Sequence, residues 1–254
     1  MRTSNPALSD KAFASVERTG PPMTLGGTVN KTAMLLALSL ITAMITWGMA
    51  WESIQAAETG GQVSPWLTPL MIGGALGGFV LAIICVFKKT SAPILAPLYA
   101  LAEGLFLGAV SAFFEIRFPG IVMQAVGLTF GTLFALLMAY RSGLIKATEN
   151  FKLGVVAATG AIALLYLVNM GMRLFGFEGM GFIHDSGPLG IGFSVVVVCI
   201  AALNLVLDFD FIERGVAQGA PKYMEWYAAF GLMVTLVWLY LEMLRLLSKL
   251  RGGD

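Results

Sequence analysis

Seven long apolar stretches, at residues 33–51, 67–87, 94–114, 121–140, 153–175, 189–210 and 224–247, constrain this chain more than any other feature. A bilayer core about 30 Å thick takes about 20 residues of helix at a rise of ~1.5 Å each, and every stretch is of that order. The connections are short and carry the helix breakers: Gly60-Gly61, Ser64-Pro65, Pro93, Pro119-Gly120, Gly187-Pro188 and Pro221. The chain has 254 residues, 57% of them hydrophobic and 12% charged. A globular domain carries roughly 25% charged residues, so this one lacks the polar groups to cover a surface in water. Lipid is its natural solvent. The expected fold class is therefore all-α membrane protein, a seven-transmembrane-helix bundle. Residues 1–32 read as a flexible polar tail and residues 33–250 as one transmembrane domain. The first span begins too late for a cleaved signal peptide and is expected to stay as an anchor.

The remaining composition excludes several kinds of function. A net charge of +1 provides no basic field for nucleic acid. Cys85 and Cys199 both lie inside apolar runs, where cysteine behaves as a small hydrophobe. His184 is the single histidine, too few for a histidine metal site or a Ser-His-Asp arrangement. No enzyme and no resident cofactor is expected. Small residues recur four apart at Gly73/Gly77, Gly74/Gly78, Gly104/Gly108 and Gly127/Gly131, a spacing that lets helix backbones approach closely in lipid.

Lysine and arginine favour cytoplasmic loops and set the expected orientation. With the N-terminus inside and seven crossings, eleven bases fall on the cytoplasmic side and five, Arg117, Arg173, Arg245, Lys249 and Arg251, on the other. The loop at Trp51–Pro65 holds Glu52 and Glu58 and no base. A seventh segment that did not cross would change the count to fourteen against two. The expected place is the cell membrane, N-terminus cytoplasmic, with the last crossing left open.

Ionisable groups inside spans mark pathways or paired sites, because an uncompensated charge in hydrocarbon is costly. Glu103 lies about nine residues, or ~14 Å of helix rise, into the third span. No base stands at helical spacing from it. A second group closes span six, Asn204-Leu-Val-Leu-Asp208-Phe-Asp210-Phe-Ile-Glu-Arg214. Asn204 and Asp208 are four apart and share a face, whereas Asp210 sits about 200° round from Asp208. Asp210 and Arg214 read as an interfacial ion pair. Asp208 is the inward candidate, and two acids sharing one low-dielectric pocket would titrate as a coupled unit, a proton switch. The last span offers Glu225 and Glu242. In a plain hairpin turning near residue 218, Asp208 comes level with about residue 228, which leaves Glu242 ~20 Å further along.

Residues Met23 to Leu250 resemble the Bax inhibitor family, the transmembrane Bax inhibitor motif proteins, in a bacterial-type branch. The resemblance is carried by Tyr99-Ala-Leu-Ala-Glu-Gly-Leu-Phe-Leu-Gly108 and Ala139-Tyr-Arg-Ser142, and most strongly by Asn204 to Glu213. Tyr223-Met-Glu-Trp226 and Leu239-Tyr-Leu-Glu-Met243 follow in the same order. It implies a seven-helix fold with the last helix enclosed, and a pH-sensitive calcium leak governed by paired acids on helices six and seven. Asp208 matches the family's helix-six aspartate, and Glu242 stands where the family has Leu-Tyr-Leu-Asp. The interval between them is about ten residues longer than the resemblance implies. Aligned from Tyr223 instead, the partner position falls near apolar Met233. Either the last helix is shifted, or Glu225 or Glu103 is the partner.

The functional expectation is a leak for Ca²⁺ or another cation, gated by protonation of inward carboxylates, oxygen ligands suiting a hard cation. Asp208, Asn204, Glu242, Glu225 and Glu103 are its candidate pathway and proton-sensing residues. The alternative is a non-conducting regulator that binds other membrane proteins such as proteases or channels. An intramembrane aspartyl hydrolase would need a Gly-Asp signature on a following span, which the chain lacks.

Overall fold

The computed structural model describes residues 21–58, 64–181 and 185–252; residues 1–20 of the expected tail, and His184, lie outside them. Seven helices carry the seven apolar stretches: α1 (Leu25–Glu58), α2 (Leu67–Phe87), α3 (Ala92–Arg117), α4 (Ile121–Arg141), α5 (Glu149–Leu174), α6 (Pro188–Ala217) and α7 (Met224–Arg251). Each is long and apolar enough to cross a membrane. This is a multi-pass membrane protein. α7 is the most buried span, with half of its most apolar stretch inside, against 17% for α2, α4 and α5.

Helix boundaries depart from the apolar windows where polar residues find partners. α1 begins at Leu25, eight residues before the expected start, so residues 25–32 are helix and not tail. Thr24 caps it: its hydroxyl accepts from the Gly27 N–H at 3.0 Å, while the Thr28 hydroxyl donates back to the Thr24 carbonyl. Hydropathy alone cannot register a cap.

Packing divides the described residues into two compact units, 21–122 with 212–233 and 123–211 with 234–252. In the first unit, α1 and α3 run parallel and touch backbone to backbone. A Cβ on Gly104 would overlap the Ser39 carbonyl and the Thr42 hydroxyl, and one on Gly108 the Ala43 carbonyl and the Thr46 hydroxyl. The gap is closed by the Thr42 hydroxyl, which donates to the Leu101 carbonyl at 2.9 Å. α2 packs on α3 the same way, Gly74 lying against the Ala102 carbonyl. Gly73, Gly77, Gly127 and Gly131 face open space, so only part of the small-residue pattern is a helix contact.

α6 ends at a left-handed Gly219 (φ 64°), whose N–H bonds the Val216 carbonyl while that of Ala220 reaches Gly215. Pro221 follows and prevents continuation. The turn thus occupies residues 218–223, wider than a plain hairpin, and shifts the register of the following helix.

We expect Gly108→Val to lower stability in maltoside micelles by about 1–3 kcal/mol, since the added carbons meet backbone. Gly77→Val should stay within about 0.5 kcal/mol of wild type. Equal thermal shifts for the two would remove close backbone approach as the source of α1–α3 association.

Candidate functional site: a polar seam along the last three helices

In the second unit, α5, α6 and α7 line up their polar side chains facing one another. On α5, Lys152, Thr159 and Tyr166 stand seven apart, and residues seven apart on a helix return to within about 20° of one face. On α7, Thr235, Trp238, Glu242, Arg245 and Lys249 form a second such stripe. α6 runs against both with Asp210, Asp208, Asn204 and the carbonyl of Gly190.

Cross-helix contacts follow this seam from end to end. Lys152 holds Asp210 at 2.9 Å and Glu149 at 3.1 Å. Two turns on, the Asn204 amide nitrogen donates to the Thr159 hydroxyl and to the Ile200 carbonyl, each at 2.8 Å. Asp208 is 8% exposed and hydrogen-bonds the Thr235 hydroxyl, while its Oδ2 has no hydrogen-bond partner among the described residues. Glu242, 2% exposed, is gripped through both oxygens by Arg245 Nη1 at 2.6 and 2.7 Å. Tyr166 and Trp238 add hydrogen bonds to it at 3.1 and 3.3 Å, and the Arg245 guanidinium also lies over the Tyr166 ring. At the far end the buried Lys249 ammonium donates to the Gly190 carbonyl at 2.9 Å.

Each expected site residue thus has its own setting. Asp208 and Asn204 lie in the seam, as does Glu242, but Glu242 is partnered by a base on its own helix. Asp210, expected with Arg214, forms an ion pair with Lys152 of α5 that the sequence reading did not include. Asp208 comes level with Thr235 rather than residue 228, because the α6–α7 turn takes six residues. That places Glu242 two helical turns, about 10 Å, beyond the Asp208 level instead of ~20 Å. Met233, at the aligned partner position, is fully buried.

The other two acids belong to the first unit. Glu103 accepts from the Tyr99 hydroxyl and sets one oxygen against Gly78 of α2, so it points into a helix contact. Tyr99 in turn meets Phe230 of α7 edge-on, centroids 5.0 Å apart. Glu225, with no exposure at all, is surrounded by cations and donors: Lys31, Lys222 at 3.3 Å, and the Thr24 N–H and hydroxyl at 2.9 and 3.0 Å. It fastens the segment before α1, where Pro22 bridges to Pro221, onto the start of α7.

Sequence reading passed over Lys152, Thr159, Tyr166, Thr235, Trp238 and Arg245. The seven-residue spacing on α5 and α7 was the available signal; a search confined to acids does not register it. Among the described residues, no three His, Cys, Asp or Glu side chains gather as ligands.

A family model also matches this chain. The model for "Bax inhibitor 1 like" matches residues 5–252, nearly the whole chain. The chain belongs to the Bax inhibitor 1 like family. A search of curated proteins and one of solved structures gave no match. Within this family member the seam's acids differ in their support, which a mutation can measure. Arg245→Met leaves Glu242 buried without its cation and should cost about 3–5 kcal/mol in unfolding experiments. Adding Glu242→Gln to it should recover most of that loss; no recovery would mean that the pair does not act as a unit.

Proposed function

We propose that the protein is a passive cation pathway, with Ca²⁺ as its ion and Asp208 as its proton-sensitive group. The observation that carries this reading is the Asp208 carboxyl. It is buried, bonded through one side only, and has an open oxygen in a seam of polar groups that follows three helices. A buried carboxyl without a base needs a proton or a passing cation to be stable there. Around it the charged groups of the seam are already committed: Lys152 to Asp210 and Glu149, Arg245 to Glu242. Oxygen ligands for a hard cation come from the Asp208 carboxyl, the Thr235 hydroxyl and the Asn204 carbonyl, whose amide nitrogen is turned away to Thr159 and Ile200. Proton and cation compete for one oxygen, and that competition makes the flux depend on pH. No catalytic step and no resident cofactor enter this reading.

The membrane is a bacterial plasma membrane and the N-terminus is cytoplasmic in this proposal. Two of the bases that weighed against the orientation, Arg245 and Lys249, are bonded to Glu242 and Gly190 within the protein, so they do not act as loop charges. α7 returns along α6 as far as Gly190, the length of a full crossing rather than a re-entrant loop. A cleavable reporter after Pro65 should be reached from outside and one after Lys89 only from inside; the reverse pattern overturns the orientation.

Flux through purified protein in liposomes tests the function. Wild type should conduct Ca²⁺ with a rate that changes across the neutral pH range. Asp208→Asn should be folded, inserted and insensitive to pH. Asp210→Asn should retain the response, because Asp210 is held in an ion pair by Lys152. Equal pH responses in wild type and Asp208→Asn, or a loss seen only at Asp210, would sink the assignment. The non-conducting regulator of proteases or channels would then be the better reading.

A further inference from the structure

The last turns of α1 and α3 border an open, shallow cleft of about 350 Å³ lined by Trp47, Gly48, Trp51, Glu52 and Glu115. It lies in the first unit, and the proposed leak makes no use of it. Trp47 and Trp51 stand one turn apart with their rings parallel to 6° and centroids 6.5 Å apart, which gives the cleft an indole wall. Both of its charged residues are acids. Glu115 is fixed: its two oxygens accept from the Gly120 and Val122 N–H groups at the start of α4. Glu52 has no ion-pair partner among the described residues. No base lines the cleft.

We infer that this cleft binds a quaternary ammonium group, taken from solution or from a lipid headgroup. Indole faces attract such a cation through their negative quadrupole, and a nearby carboxylate supplies the net charge. A metal ion fits poorly, since it needs several oxygens converging at ~2–2.6 Å and most of this wall is ring and backbone. A primary ammonium would need several hydrogen-bond acceptors, and with both Glu115 oxygens holding backbone N–H groups only the Glu52 carboxylate is left to supply them. A trialkylated nitrogen has no N–H to satisfy, and its methyl groups suit apolar walls. Tryptophans near helix ends often serve as interfacial anchors, but anchoring requires neither two acids nor an open cleft between the rings and a second helix. Gly48 forms part of the lining, and a Cβ there meets nothing within 4 Å, so this position keeps the cleft open without being needed for helix contact.

The test uses full-length protein in maltoside micelles, which contain no choline. Saturation-transfer NMR is read on the N-methyl protons of choline and on the methyl protons of its neutral isostere 3,3-dimethylbutan-1-ol. Choline should show saturable transfer and the isostere little or none. Glu52→Gln, an exposed change, should weaken choline about two- to fivefold, as should Trp47→Ala. Gly48→Phe, which fills the cleft and leaves the acids and rings in place, should abolish transfer. Equal transfer to the isostere, undiminished transfer in Gly48→Phe with a native unfolding midpoint, or no saturable transfer to wild type would each overturn the proposal. Nanodiscs then identify the source. Loss of the free-choline signal on adding phosphatidylcholine with deuterated N-methyl groups to phosphatidylglycerol discs assigns the site to a headgroup; an unchanged signal assigns it to a soluble cation.

Discussion

Inside a bilayer there is no water to bond a polar group, so every buried carboxyl, ammonium and carbonyl must find its partner within the protein. That constraint organises this structure more than apolar packing does. Lipid tails are as apolar as leucine and give helices no hydrophobic reason to associate. Association comes instead from short backbone approach, as at Gly104 and Gly108 against α1, and from polar contacts such as Thr42 to Leu101. The same rule turns the last three helices toward one another along their polar stripes. One end of the seam is closed by Lys152 with Asp210 and the other by Lys249 with the Gly190 carbonyl.

Against that background the acids separate by how fully they are satisfied. Glu242 and Glu225 each have a close base and several donors, the arrangement that makes a buried charge tolerable. Their burial speaks for a structural role. Glu103 has one tyrosine and a glycine-lined niche. Asp208 is the least provided for, with a single hydroxyl and an open oxygen. A site that binds and releases needs this incompleteness, since a fully bonded carboxylate has nothing to offer an ion.

The number and placement of the spans were readable from the sequence because length and hydropathy alone decide whether a helix can cross. The register between helices was not. It depended on the cap at Gly219 and the six-residue turn, which moved the level of Asp208 from residue 228 to Thr235. The partners of the acids were hidden for a related reason. Lys152 and Asp210 are 58 positions apart and Tyr166 and Glu242 are 76, so no local spacing rule joins them. Arg245 is different: it stands three residues from Glu242, within reach of an ordinary helical pair, so local spacing alone marks it as a partner as well as a topology charge. Polar residues at seven-residue intervals inside apolar helices carry more information here than the acids taken singly.

The bond between Lys31 and Glu225 joins residues 194 apart in the chain, and this has a consequence for how the protein is made. At a synthesis rate of about 5–20 residues per second, α1 enters the membrane roughly 10–40 s before α7 exists. During that interval the Lys31 ammonium has no acid to meet and must reach the interface along its own flexible stem. The first helix is therefore held in a provisional position during translation, and only arrival of the last one supplies Glu225 to draw Thr24 and Lys31 into place. Assembly ends at the point where synthesis began.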